Sequence, residues 1–460
     1  MKALHNKTLT GCILIAVGSS VMPGGGLTAP KPVAAPDSQS RDMALDHYLT
    51  GSIDEEAGEL LKALIEYQVA FLFDSSSVSI ATALAGSYQK LGYPEAALRI
   101  LETSLKVNHG ESALIRQAIP LYLRADRLSD ALDCFRRLKD KGELDQEDML
   151  RYAALLQSTQ EYDAALGIYR DYIAKFGGDA DIYERIGLIH IARRNIDAAE
   201  TCFVRLVEFD STAYRVLFVL GGFAVAREDW ATAESYFRQA LAGDSTNFRV
   251  WTNLLQTLIE QRKHDECLTN VEAAMALFPD NPQLLYIKGS ILERLKRYDE
   301  ALTVLQMSIS LDSTKTPPYL SLGFVYQQLG RWSDAADTYD RALGLDADNP
   351  VLLNNYAYML SEWNSRLDEA LQFVNHALAA SPNSSSFIDT RGWIYYRMGR
   401  YKDAYNNVKQ AMKGESDNAE LFYHFGEISR ALGRESKAKE AFRRAAELEP
   451  DNERYRQLAQ

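Results

Sequence analysis

One small residue returns at a fixed interval along nearly the whole chain, and it limits the folds available more than any other feature. Counting in steps of 34 from Thr316 puts alanine at the twentieth position of almost every unit: Ala63, Ala97, Ala131, Ala165, Ala199, Ala233, Ala301, Ala335, Ala370, Ala404 and Ala438, with Cys267 standing in once. The unit starts are Ala44, Val78, Ser112, Gln146, Ala180, Tyr214, Phe248, Pro282, Thr316 and Pro350, then Ser385 and Ala419 after one inserted residue within Glu362–Asp368. Twelve units therefore run from Ala44 to Asn452. A position that admits only a methyl group or a thiol marks the closest crossing of two helices, where a larger side chain costs about 1–3 kcal/mol.

The rest of the unit fits an αα-hairpin. In Thr316–Asn349, Tyr319, Leu322, Gly323 and Tyr326 make one helical stripe, Gly330 marks a turn, and Ala335, Tyr339 and Ala342 make the facing stripe. The eighth position is small in ten of the twelve units, as at Gly51, Gly187, Gly221, Gly289, Gly323, Gly392 and Gly426. The twenty-fourth is apolar, often aromatic, as at Tyr67, Phe135, Phe203, Phe237 and Phe442. Small holes facing large knobs at one spacing specify a stack in which each hairpin completes its neighbour's core. The pattern weakens in units three to five, where Ile119, Leu138, Tyr172 and Leu206 replace small residues and Pro120 falls inside a first helix. Between units, Asn281-Pro282 and Asn349-Pro350 supply a capping acceptor followed by a proline suited to the first helical turn.

The spacing Tyr-x2-Leu-Gly-x2-Tyr-x3-Gly-x4-Ala-x3-Tyr-x2-Ala resembles the tetratricopeptide repeat, a 34-residue helix–turn–helix unit. The resemblance implies an all-α, right-handed superhelical α-solenoid of about twelve repeats, with Glu453–Gln460 as a short C-terminal cap.

Ahead of the array, Lys2 and Lys7 precede the apolar run Leu9–Met22, and no acidic residue appears before Asp37. Such a run is too short to span a bilayer and has the shape of an export signal. Residues 1–23 are read as a signal peptide and 24–43, rich in Pro, Gly and Ala, as a disordered spacer; an exported, periplasmic or envelope-associated protein is expected. Leu9-Thr10-Gly11-Cys12 looks like a lipoprotein box, but its apolar run follows the cysteine instead of preceding it, so lipidation at Cys12 is not expected. Cys134, Cys202 and Cys267 read as small buried hydrophobes.

The formal charge of −13 opposes binding to nucleic acid, and the basic residues form no stripe. Leader, spacer, array and tail use up the chain and leave no room for a catalytic domain; nucleotide-binding, hydrolase and zinc motifs are missing, and the seven histidines are scattered. The chain reads as non-enzymatic, with no cofactor and no metal site.

In tetratricopeptide arrays the first helix of each hairpin, at positions 2, 5, 9, 12 and 13, lines a concave groove. Carried over residue by residue, the resemblance assigns Arg116 and Arg124 to the early groove and Leu188, Ile191, Phe218 and Val225 to the middle. The late groove receives Tyr286, Arg294, Phe324, Asn354, Tyr358, Asp389, Trp393, Tyr396, Arg397, Tyr423 and Arg430. Aromatic rings mixed with Arg and Asn make anchors for a peptide or partner helix, so the late set is the expected partner-binding site. The alternative is that Tyr358 and Trp393 only pad neighbouring helices. No repeat carries the Lys and Asn pair that clamps chaperone C-terminal carboxylates.

The stretch LNNYAYMLSEWNSRLDEAL, followed by FIDTRGWIYYRMGRYKDA, is similar to a block recurring in bacterial envelope tetratricopeptide proteins, among them lipoproteins that bring processing proteases to their substrates. The resemblance implies an envelope scaffold or adaptor that binds other proteins or peptides. A self-associating component of a secretion or surface-polysaccharide machine stays open, as does a cytoplasmic regulatory role if the N-terminus is not exported.

Overall fold

The computed structural model describes residues 36–414 and 417–460, so the expected signal peptide, Cys12 and most of the expected spacer lie outside the described residues. Every regular element among the described residues is an α-helix, 25 of them from Ser38 to Leu458, and they form two compact units that divide between Gly178 and Asp179. The first unit holds four helical hairpins. The second holds eight and ends in a short helix, Glu453–Leu458.

Each hairpin pairs a first helix, A, with a second, B. After the opening pair, A helices begin at Val78, Ser112 and Gln146 in the first unit, and at Ala180, Tyr214, Phe248, Pro282, Thr316, Pro350, Ser385 and Ala419 in the second. Their starts are set by local chemistry. Asn281 and Asn349 accept hydrogen bonds from two backbone N–H groups each, at 3.0–3.2 Å, and Pro282 and Pro350 occupy the first turn behind them. Asp145 and Asp148 form a capping box at the Gln146 helix.

The opening helix departs from the sequence reading. It runs Ser38–Glu56, so residues 38–43 are helix and not spacer. Asp37 explains the early start, because its carboxylate accepts from the Ser40 N–H at 2.8 Å and caps the helix. The helix Ser112–Arg124 continues through Pro120. In the tenth hairpin the A–B turn contains two left-handed residues, Asn364 and Arg366, where the other turns use one.

The alanines of the twentieth position, Ala63 through Ala438, are buried, as is Cys267. Cys134 is buried too, but Cys202 is half-buried, which corrects the uniform reading of the three cysteines. Its neighbours on the Ile196–Phe209 helix, Ala199 and Phe203, take the inward positions. Burial pushes the Cys134 thiol up to about 11 and that of Cys267 to about 12, leaving both as inert core side chains.

Within the second unit, the A helices of repeats eight to twelve (Pro282–Arg294, Thr316–Gln328, Pro350–Trp363, Ser385–Arg397 and Ala419–Ala431) pack side by side, each against the next. That wall carries the late candidate residues.

Candidate functional site: a cleft on the A helices of the last four repeats

Four successive A helices converge on a cleft of about 280 Å³. Thr316–Gln328 contributes Phe324 and Gln327, Pro350–Trp363 contributes Asn354, Asn355 and Tyr358, Ser385–Arg397 contributes Ser386, Asp389 and Thr390, and Ala419–Ala431 contributes Glu420 and Leu421. Tyr339 reaches the cleft from a B helix, and Asn418 joins at a helix cap. Phe324 keeps 36% of its surface exposed, whereas Asn354 keeps 9%.

Beneath the cleft lies an aromatic block. The Trp393 ring stacks on His424 with centroids 4.1 Å apart and on Tyr396 at 4.6 Å, and its indole N–H donates to Glu362 Oε1 at 2.7 Å. Tyr423 stacks on Tyr455 of the final helix at 5.5 Å, and the Arg454 guanidinium lies 4.4 Å from the centroid of the Tyr423 ring. His424 is 1% exposed and donates from Nδ1 to Asp389 Oδ2 at 2.8 Å. Burial alone pulls this imidazole toward its neutral form. The charge and hydrogen bond of Asp389, with Glu420 and Glu362 behind it, outweigh burial and hold its pKa above the ordinary value. Tyr358 donates its hydroxyl to Glu420, tying the tenth A helix to the twelfth; burial first, and Glu420 next, push that hydroxyl well above the usual tyrosine range.

Not every polar atom here has a partner. Asn354 Oδ1 and Asp389 Oδ1 are both buried and accept no hydrogen bond. Of the nearby arginines, Arg430 binds Glu427 through contacts of 2.6 and 2.7 Å, and Arg397 donates from Nη2 to the Glu362 carbonyl at 3.1 Å while its buried Nε has no partner.

Of the late candidates, the cleft gathers Phe324, Asn354, Tyr358 and Asp389. Trp393, at 3% exposed, and Tyr423, at 5%, form the block under it, with Tyr396 beside them. Tyr286 is half-buried against the core, and Arg294 is exposed on the A helix one repeat before the cleft. Elsewhere, Arg116 is held by Asp148 at 2.8 Å, Arg124 and Leu188 are exposed, and Phe218 lies 5.6 Å under the Arg249 guanidinium; Ile191 and Val225 pack on apolar clusters. Sequence reasoning passed over Glu362, Glu420 and Glu427, although they stand at positions 13, 2 and 9 of their units, which are groove positions. It also passed over His424, whose position 6 gives no such signal.

A larger concavity of about 680 Å³ is lined by Tyr405 and Lys409 of one B helix, Phe422 and Phe425 of the last A helix, and Lys437 and Arg444 of the next B helix. It is an open surface whose cations are partly spent: Lys437 donates to the Tyr405 hydroxyl at 3.1 Å, and Arg444 pairs with Asp417 at 3.2 Å.

Family models described as tetratricopeptide repeat match residues 224–291 and 395–460, residues 184–248 and 320–385, and residues 282–315. The chain belongs to the tetratricopeptide repeat family. All of these matched stretches fall in the second unit, which carries the cleft. A tetratricopeptide repeat-containing protein of Pseudomonas aeruginosa is 33% identical over 82 residues, 18% of this chain and 14% of that protein. Lipopolysaccharide assembly protein B of Escherichia coli is 23% identical over 198 residues, 41% of this chain and 51% of that protein. The chain thus spans about half the length of the second relative and far less of the first. Among solved structures, a tetratricopeptide repeat protein from Parabacteroides merdae aligns with 54% of this chain and 97% of its own length, at 20% identity and a TM-score of 0.47.

Proposed function

We propose that this protein is a non-catalytic scaffold of the bacterial envelope, exported by its N-terminal segment, that holds a peptide or helix of a partner protein against the A helices of its last four repeats. The observation that supports this most directly is the cleft itself. Four consecutive hairpins contribute to it, Phe324 stands exposed on it, and its lining residues Asp389 and Tyr358 touch the packed aromatic block through His424. A rigid base with an exposed apolar anchor suits recognition, because little side-chain freedom is lost on binding. Export rests on the basic and apolar residues before Met22, and an envelope setting also draws on the likeness to lipopolysaccharide assembly protein B. That same likeness favours one second reading, a component of a surface-polysaccharide assembly whose array contacts other copies of itself.

A photo-crosslinking amino acid placed at Phe324, with a control at the exposed Asp337 of a B helix, separates the readings in intact cells. The adaptor reading expects adducts with a different protein from position 324 and not from 337. Self-adducts alone at both positions support the assembly reading and reject the groove. A periplasmic reporter fused after Ser40 tests export, and a reporter active only in the cytoplasm rejects the envelope assignment.

A further inference from the structure

We propose that the cleft receives the charged end of one arginine or lysine side chain from the partner segment; this rests on the groove reading above and adds the chemistry of its occupant. Asn354 and Asp389 line one small cleft, and in each a buried Oδ1 has nothing to accept from, while the second oxygen of Asp389 is taken by His424. A buried acceptor left unmade costs about 1–3 kcal/mol, and more when it is charged, so the unbound cleft holds a standing deficit that a multi-donor group removes. Guanidinium and ammonium groups bring several donors and no acceptor.

Charge selects in the same direction. The charged residues lining the cleft are Asp389 and Glu420, and no Lys, Arg or His lines it. Glu362 and Glu427 add negative charge along the same wall, where Arg430 is paired with Glu427 and Arg397 donates through one Nη to the Glu362 carbonyl. An anionic group, such as the C-terminal carboxylate that other repeats of this family clamp, would meet the carboxylates of Asp389 and Glu420. Phe324 and Tyr358 line the same cleft, where an aromatic ring can pack on the aliphatic stem or the cation.

The test uses the full chain and a phage-displayed library of random dodecapeptides. Selected peptides are synthesised with arginine, citrulline, lysine or norleucine at the enriched position, and their binding is measured by fluorescence anisotropy. The expected result is one recurrent basic position, with affinity falling about tenfold or more for citrulline and norleucine, since a charge-assisted bond is roughly twice as strong as a neutral one. Asn354→Leu and Glu420→Gln, each checked for an unchanged helical spectrum, should each weaken the arginine peptide and shrink its advantage over citrulline. If the selected peptides lose binding in Phe324→Ala but show no basic position, or if citrulline matches arginine, the cation is wrong and the groove stands. If no peptide is selected, or binding ignores Phe324→Ala, the groove reading fails and the cation site falls with it.

Discussion

A Cβ built on Gly323 would sit 2.6 Å from Cζ of Tyr339 on the facing helix. The same approach recurs at Gly187 to Phe203, Gly221 to Phe237 and Gly426 to Phe442, each at 2.4 Å, so the missing side chain of one helix is the seat of the other's ring. Tyr339 is fully enclosed there and stacks on Tyr356 of the next repeat at 5.3 Å. Gly323→Ala is expected to destabilise the second unit by about 1–3 kcal/mol through overpacking. Gly344→Ala, on the same hairpin but with nothing near its Cβ, should stabilise by about 0.5–1 kcal/mol, because glycine is a poor helix former. Denaturant unfolding of the two variants should move in opposite directions.

Outside the tenth hairpin the A–B turns use one left-handed residue, and the chain fills that slot unevenly. Gly330, Gly399 and Gly433 occupy it with φ near +70°, whereas Arg194, Glu228 and Lys296 adopt φ of +59° with a side chain attached. Holding an ordinary residue in that conformation costs about 1–2 kcal/mol. Glu228→Gly should therefore raise stability by up to about 1 kcal/mol once the extra entropy of the unfolded glycine is subtracted. Gly330→Ala should lower it by a similar amount. Equal midpoints for the two variants in urea would contradict the strain.

His424 makes the last repeats sensitive to pH. Its pKa is raised on folding, so its contribution is fully present below the unfolded value near 6.5 and is lost as pH rises through the folded value. Asp389 faces it directly, Glu420 shares its helix, Glu362 lies across the Trp393 ring, and Tyr358 and Tyr423 flank it with neutral hydroxyls. Melting temperature should fall between neutral and mildly alkaline pH, and His424→Gln should flatten that slope. A slope unchanged in the variant would place the sensitivity elsewhere.

The fold could be read from the sequence because its rule is steric and repeated. Ala335 needs to be small for the same reason as Ala199 or Ala404, so one period exposes all the crossings at once. The cleft was less legible. Family position tells which way a helix face points but not how deeply it is covered, and the cover over Trp393 comes from His424 and Tyr423 of the following repeat. Tyr455, after the last full hairpin, closes the far side of Tyr423. Reading aromatic rings as anchors also drew attention away from Glu362, Glu420 and Glu427, whose positions marked the groove equally well. The opening helix was misplaced because Asp37 caps it outside the periodic part of the chain.

Burial changes what a substitution at Trp393 reports. With 3% of its surface exposed, stacked between Tyr396 and His424 and bonded to Glu362, this side chain supports the cleft from below. Trp393→Ala should cost about 3–5 kcal/mol, the usual range for emptying a buried aromatic site, and lost partner capture in that variant would reflect lost structure. Trp393→Phe retains a ring but leaves Glu362, which is half-buried, without its donor, so about 1 kcal/mol is expected. In a repeat array each hairpin leans only on its neighbours, so the damage should stay local. Hydrogen exchange should accelerate across Pro350–Ala431 and remain unchanged in Tyr214–Leu277. Uniform acceleration along the second unit would show that its eight hairpins unfold as one cooperative block.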